Sequence, residues 1–290
     1  MTQITAALVK ELRERTGQGM MDCKKALEAS GGDIEKAIDD MRAAGAIKAA
    51  KKAGNIAAAG SIAVKVSDDN KSAVLIEVNS QTDFLAMQDD FKNFVAESLD
   101  VAVADPSRDS AALIANRESA REALVAKCGE NVNIRRIERI EGDVLGAYLH
   151  GNRIGAVVSV SGGDVELAKD IAMHVAASNP QFLDPSQVSE EAIAKEKEIF
   201  MALNEEKIKG KPENIVENMV GGRIKKFLAE ASLVGQAFVK NPEVTVGKLA
   251  DQAGATIVSF VRFEVGEGID RGEEVDFAAE VAAQVAASKK

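Results

Sequence analysis

Thr82, Asp83, Phe84 and Leu85 follow an apolar run at 73–78 by way of a short polar approach, Asn79, Ser80 and Gln81. A carboxylate beside a large aromatic ring, with no His, Cys or Lys close by in the chain, is poorly equipped to carry a reaction. It is well suited to push into a partner and disturb a charged site there. Spacing alone favours a plainer reading, in which Thr82 or Asp83 caps the helix that runs through Phe91, Phe94 and Val95 and Phe84 joins the core.

The remaining residues that could do chemistry are few. The chain has two histidines. His150 sits beside Gly151 at a predicted turn and should be exposed, with a contact role and plain solvation weighing equally. His174, between Ile171 and Val175 on a predicted helix, reads as a satisfied residue at the edge of the core. Neither has the HxxxH spacing or the cysteine neighbours of a metal site. Cys23 and Cys128 are far apart and neither belongs to a CxxC, so no disulfide framework is indicated and free thiols in a reducing compartment are expected. Gly210, Lys211 and Pro212 lack the flanking residues of a phosphate-binding loop, and Gly221, Gly222 and Arg223 follow no strand. GxSxG and SxxK nucleophile motifs are missing. Carboxylate pairs such as Glu190 with Glu191 and Glu273 with Glu274 stand in charge-rich runs that read as solvated faces. No catalytic residue, bound metal or cofactor is expected.

The elements that position the 82–85 loop can be read from periodicity. Over 5–43, apolar residues recur at helical spacing: Leu8 and Leu12, then Met21, Ala26 and Leu27, then Ile34, Ala37, Ile38 and Met41. Gly17 and Gly19 separate the first helix from the second, Gly31 and Gly32 the second from the third, and Asp33 is a natural N-cap. Residues 43–60, rich in Ala, Lys and Gly, read as a tether. Strands at 61–66 and 73–78 should form a hairpin turning at Asp68, Asp69 and Asn70, followed by the loop and a helix through residue 101. The order returns with strands at 144–149 and 154–160, a turn at Gly151 and Asn152, and then Gly162, Gly163 and Asp164 opening a helix over 165–177. A third strand for each copy is available at 133–140 and 256–264. The predicted fold class is α+β, two related subdomains with small antiparallel sheets.

A charged, helical segment at 189–230 interrupts the second copy. Ile193, Ile199, Phe200, Leu203 and Ile208 mark one arm, and Ile215, Val216, Met219, Ile224, Phe227 and Leu228 the other, with Gly210 to Pro212 supplying the reversal. A helical hairpin is expected, either flat on the core or projecting as a coiled coil that offers a surface for self-association.

Composition sets the outer bounds. The 290 residues are 46% hydrophobic, enough for sizeable cores, yet only 4% aromatic with no Trp, so ring-lined ligand pockets are not expected. A net charge of −10 opposes general nucleic-acid binding and leaves a protein as the more plausible partner. No window approaches a membrane span and the first dozen residues lack a signal-peptide core, so a cytoplasmic protein is expected. Two other functions compete: an adaptor using the N-terminal module alone, and an α+β enzyme with Asp83 and His150 as its acid and base.

The stretches VKELRERTGQGMMDCKKALEASGGDIEKAI, GAIKAAKKAG, the Thr82–Asp83–Phe84 loop, YLHGNRIG, IAMHVAAS and RFEVGEGI resemble, collinearly over essentially the whole chain, the bacterial translation elongation factor Ts family. The resemblance implies a guanine nucleotide exchange factor for elongation factor Tu, in its GDP-bound and nucleotide-free states, that dislodges Mg²⁺ and promotes GDP release. It implies an N-terminal module similar to ubiquitin-associated domains with Arg13, Met20 and Met21 at the interface. The Thr82, Asp83, Phe84 and Leu85 loop would act on the partner's magnesium, His150 would touch the partner's far domain, and a C-terminal helix around 277–283 with Phe277 and Val281 would pack on its nucleotide domain. The helical hairpin would support a homodimer or a 2:2 complex. Boundaries drawn on that basis are 1–54 for the three-helix module, 55–140 for the first core subdomain, 141–180 with 229–263 for the second, 181–228 for the hairpin and 264–290 for the C-terminal helical part.

Overall fold

The computed structural model describes residues 4–105 and 110–271. Three helices open the chain: α1 (Ala6–Thr16), α2 (Met20–Ala29) and α3 (Ile34–Lys52). The Thr5 side chain caps α1, Gly17 ends it in the left-handed region at φ 66°, and Asp33 caps α3 by accepting the N–H of Lys36. Their shared core is Val9, Leu12, Cys23, Leu27, Ala37 and Ile38. Cys23 acts here as a small apolar side chain, whereas Met21, assigned to the apolar face by spacing, is 63% exposed. The apolar face of α2 therefore runs through Cys23 and Leu27 instead.

The predicted tether at 43–60 is a correction. Residues as far as Lys52 continue α3, because Ala and Lys are strong helix formers and the helix has a surface to lie on. That surface is α6 (Ser110–Cys128): a Cβ placed on Gly45 would stand 3.4 Å from that of Ala126, and Ala49 enters the core beneath α6. Small residues at 45 and 49 let the two backbones approach.

Two three-stranded antiparallel sheets follow. The first is ordered β1 (Ala59–Val66), β2 (Ser72–Ser80), β3 (Val132–Glu141). The second is ordered β4 (Val144–His150), β5 (Ile154–Ser161), β8 (Thr256–Glu264). Both hairpins and both third strands stand where periodicity placed them. Between β2 and β3 come α4 (Asp83–Ala86), α5 (Asp89–Ala104) and α6, while α7 (Val165–Ser178), the charged insertion and α11 (Val246–Gln252) separate β5 from β8.

The sheets face each other, with helices outside. Alternation along β2 makes this plain: Val74, Ile76 and Val78 join the core shared with α5 and α6, whereas Ala73 and Leu75 point to the second sheet and meet Leu145, Val157 and Phe263. On the far side Ala156, Val158 and Val160 of β5 pack under Ile171, Ala172 and Val175 of α7. Gly146 is required there, since a Cβ would come within 2.2 Å of the α7 backbone at Ala168.

Within the insertion, α8 (Glu190–Leu203), the short α9 (Glu205–Ile208) and α10 (Glu213–Ala231) run out and back. Glu196 pairs with Arg223 at 2.6 Å, and neither α8 nor α10 contains a buried residue. A small ribbon of β6 (Ala237–Phe238) and β7 (Asn241–Thr245) then leads into α11. His174 fits its predicted role. Buried on α7, it accepts the N–H of Val239 at Nδ1 (3.2 Å), and Nε2 lies 2.9 Å from Gln236 Oε1, which fixes a neutral ring protonated at Nε2. Burial pushes its pKa below the ordinary value, against the raising effect of the Gln236 bond.

Candidate functional site: an exposed ring on an anchored turn

Strand β2 ends at Ser80, and the chain turns at once into α4, a single helical turn. Thr82 is its N-cap, with Oγ1 accepting the N–H of Leu85 at 3.3 Å. Thr82 is thus a cap, but of α4 and not of the helix through Phe91, whose N-cap is Gln88. The expected place of Phe84 in the core fails as well, because α4 ends at Ala86 and α5 starts separately at Asp89, leaving Phe84 76% exposed. One turn presents adjacent positions to opposite sides: Leu85, at 1% exposure, and Ala86 enter the core with Phe91 and Phe94, while Asp83 and Phe84 point outward. Of the four predicted loop residues, Leu85 is therefore the anchor and Phe84 the presented group.

Asp83 and Phe84 border a cavity of about 590 Å³ together with Ile56, Met87, Asn152, Arg153 and Arg271. Ile56 and Met87 are also exposed, so the rim carries three large apolar groups around one carboxylate and two guanidinium groups. Such a surface can dock and wedge. The acid–base pair of the enzyme reading is not assembled here: His150 does not line the cavity, and Asp83 and His150 are not brought together there. His150 ends β4, exposed, with its ring stacked near Tyr148 at a centroid distance of 6.4 Å.

A second cavity, of about 350 Å³, brings Arg13, Met20 and Met21 together with Val9, Lys10 and Lys24 on α1 and α2. Met20 and Met21 are both exposed, flexible apolar groups beside three cations, a composition suited to a partly acidic protein surface. Phe277 and Val281 lie outside the described residues. Among the described residues, no group of three or more His, Cys, Asp or Glu side chains is arranged to hold a metal ion, and no helix is long and apolar enough to cross a membrane. Burial raises the pKa of Cys128, which keeps it protonated and poorly nucleophilic.

The turn following β4 explains the YLHGNRIG stretch structurally. Gly151 takes a positive φ, Asn152 O accepts the N–H of Ile62 at 2.8 Å, its amide donates to Ser61, and Arg153 O accepts the N–H of Val265 at 2.9 Å. The tip of the second hairpin is thereby tied both to β1 and to the segment that follows β8, next to the cavity.

Residues that spacing did not single out hold this arrangement together. Glu77 is fully buried on the β2 face that meets the second sheet. A bulge in β3 sets Arg135 and Arg136 against it: Arg135 Nη1 donates at 3.1 Å, Arg136 Nε donates as well, and Asn79 Nδ2 and Gly266 N donate at 2.9 and 2.8 Å. Burial by itself raises the Glu77 pKa, but the Gly266 and Asn79 bonds and the Arg136 guanidinium outweigh it and hold the carboxyl below its ordinary value. The arginines then reach the second sheet's trailing segment through Glu264 O and Glu267 O, with Arg136 lying 4.0 Å from the centre of the Phe263 ring. Gly266, at φ 75°, leaves no room for a Cβ, which would stand 2.2 Å from Ala58 O. The signals were present as one Glu inside an apolar run, two consecutive arginines and a Gly-Glu-Gly.

Comparison with known proteins agrees on one family. The family model described as elongation factor TS matches residues 81–267. The chain is 80% identical over 290 residues to elongation factor Ts of Azotobacter vinelandii, 78% to that of Pseudomonas aeruginosa and 75% to that of Pseudomonas fluorescens, in each case covering 100% of both chains.

Proposed function

The chain belongs to the elongation factor Ts family, and from that membership we propose that it is a guanine nucleotide exchange factor acting on elongation factor Tu in the cytoplasm. The observation that carries this is the 80% identity maintained from end to end. On this reading Phe84, with Asp83, enters the partner near its nucleotide and displaces Mg²⁺. Thr82 and Leu85 shape the turn, Arg13, Met20 and Met21 of the ubiquitin-associated-like module meet the nucleotide-binding domain, and His150 meets a more distant one. Phe277 and Val281 would extend the same interface, and 1–54, 55–140 and the later units drawn above would be its parts.

Energetics supports a wide interface. A GTPase holds GDP partly through Mg²⁺ bridging phosphate oxygens and protein ligands, so a factor that binds the metal-free state better shifts the population toward release. A thousandfold acceleration needs about 4 kcal/mol of differential binding. Burying one Phe contributes about 1.5–3 kcal/mol. The loop therefore acts with other contacts, and the second exposed cavity supplies a place for them. Linkage also requires that nucleotide weaken this protein's own grip by the same factor, so GTP loading releases it. No covalent step is involved, and the protein's own residues need no cofactor.

Exposed Ile199, Met201, Leu203 and Ile215 on α8 and α10 support a second part of the reading, self-association into a homodimer or a 2:2 complex. The test of the principal function is stopped-flow release of a fluorescent GDP from elongation factor Tu, with Mg²⁺ present, against rising concentrations of the chain. Saturable acceleration is expected, and its absence sinks the proposal.

A further inference from the structure

We infer that Glu130, in the loop between α6 and β3, is a positioning residue that sets the pose of Phe84 through Thr82. Helix α4 is one turn of four residues, far too short to hold its own geometry, since helices of this length are unstable without outside support. Phe84 is 76% exposed, so its own packing does little to fix it. Its direction depends on what holds the turn at either end, and one end is fixed by Leu85 and Ala86 in the core.

The other end is held by Glu130. Its Oε2 accepts the Thr82 backbone N–H at 3.0 Å and its Oε1 accepts the Thr82 hydroxyl at 2.8 Å. In a capping box the acceptor for the N-cap N–H comes from a Glu or Gln three positions along. Here that position is Leu85, already committed to the core, so a carboxylate from another element takes its place. Because the Thr82 hydroxyl gives its proton to Glu130, its oxygen is turned to accept the Leu85 N–H. Two charge-assisted bonds thus converge on the residue that starts the turn.

The next residue reinforces the grip. Asn131 donates its backbone N–H to Gln81 Oε1 at 2.7 Å, and its side-chain amide donates to Asn55 O at 2.8 Å, just beyond the end of α3. Asn55 in turn donates to Gln81. Residues 130 and 131 therefore hold both the approach to the turn and the exit from the three-helix module. Glu130 does not line the cavity bordered by Phe84, which separates its role from direct contact.

The test compares the full-length protein with Glu130→Ala and Glu130→Gln, and with Glu130→Ala placed in a Thr82→Val background. Its kinetic arm rests on the exchange reading; its structural arm does not. In stopped-flow GDP release from elongation factor Tu, Glu130→Ala should lower the saturating rate about tenfold while moving the half-saturating concentration much less, the loss expected for charge-assisted bonds felt in the released state. Glu130→Gln, which still accepts the Thr82 N–H, should recover most of the rate, and adding Glu130→Ala to Thr82→Val should still lower it through the lost backbone bond, by a smaller factor than in the wild-type background because the hydroxyl bond is already gone. Amide hydrogen exchange of the isolated protein should show faster exchange at Leu85 in Glu130→Ala. An unchanged Leu85 amide, or a loss confined to the half-saturating concentration, overturns the inference. If the wild-type protein does not accelerate release, the exchange reading fails, and the Leu85 amide alone decides for or against the positioning role.

Discussion

Glu77 accepts the backbone N–H of Gly266 at 2.8 Å, joining the middle strand of the first sheet to the residue just past the end of the second. Two arginines from one β-bulge share the same carboxylate. The pairing is a buried polar tie between the two sheets, set beside apolar side chains that meet across the same interface and apart from the Asn152 bonds to β1. Replacing Glu77 by Ala removes the acceptor and leaves two guanidinium groups facing each other. The expected loss is about 3–5 kcal/mol in urea unfolding at pH 7. A loss below about 1 kcal/mol would mean that water replaces the carboxylate at no appreciable cost.

Neighbouring residues in α4 should behave oppositely. Leu85→Ala empties a core site and should lower stability by about 2–5 kcal/mol. Phe84→Ala, at an exposed position, should change it by less than about 0.5 kcal/mol while slowing GDP release from the partner. Thermal melts paired with exchange kinetics separate the two, and a Phe84→Ala variant that melts early would show that its ring packs within the fold.

Gly146→Ala tests the close approach of β4 to α7. With the α7 backbone within 2.2 Å of the added carbon, α7 must lift from β4. A cost of about 1–3 kcal/mol is expected, read as a lower melting temperature with retained secondary structure.

Acid should weaken the fold in two stages. His174 has a folded pKa below its ordinary 6.5, so the unfolded chain takes up the proton first. Its contribution is complete above that value and is lost as pH falls below it. Glu77, also shifted down, contributes above its ordinary 4.5 and loses this only in stronger acid. Unfolding free energy measured from pH 7.5 to 5.5 should therefore decline in the wild type, and His174→Gln should be less stable at pH 7.5 with a flatter profile. An equally steep decline in the variant would assign the dependence to other groups.

Much of the fold was legible because local rules and packing agreed. Apolar runs located β2 and β5, the glycines at 17, 31 and 32 broke the first helices correctly, and Asp33 caps α3 as its type and place predict, while Asp164 caps the helix expected to follow it. The tether was misread because its Ala and Lys content fits either a flexible link or a helix, and only the presence of α6 decides. The loop was half legible. Thr82 carried the cap signal in its type, but the outward direction of Phe84 follows from Leu85 taking the inward position, a competition that spacing leaves open. Glu130 could not be found by local reading, since its two bonds reach back 48 residues.

The uninterrupted course of α3 makes the molecule a caliper. Nineteen residues at 1.5 Å each form a rod about 28 Å long, one end built into the three-helix core and the other laid along α6. On the proposed interface the jaws are the Met20–Met21 groove and the Phe84 turn, and the α3 rod spaces them before any partner arrives. A partner that spans both loses no orientational freedom to a swinging linker, and one whose two surfaces lie at another spacing cannot close both jaws at once.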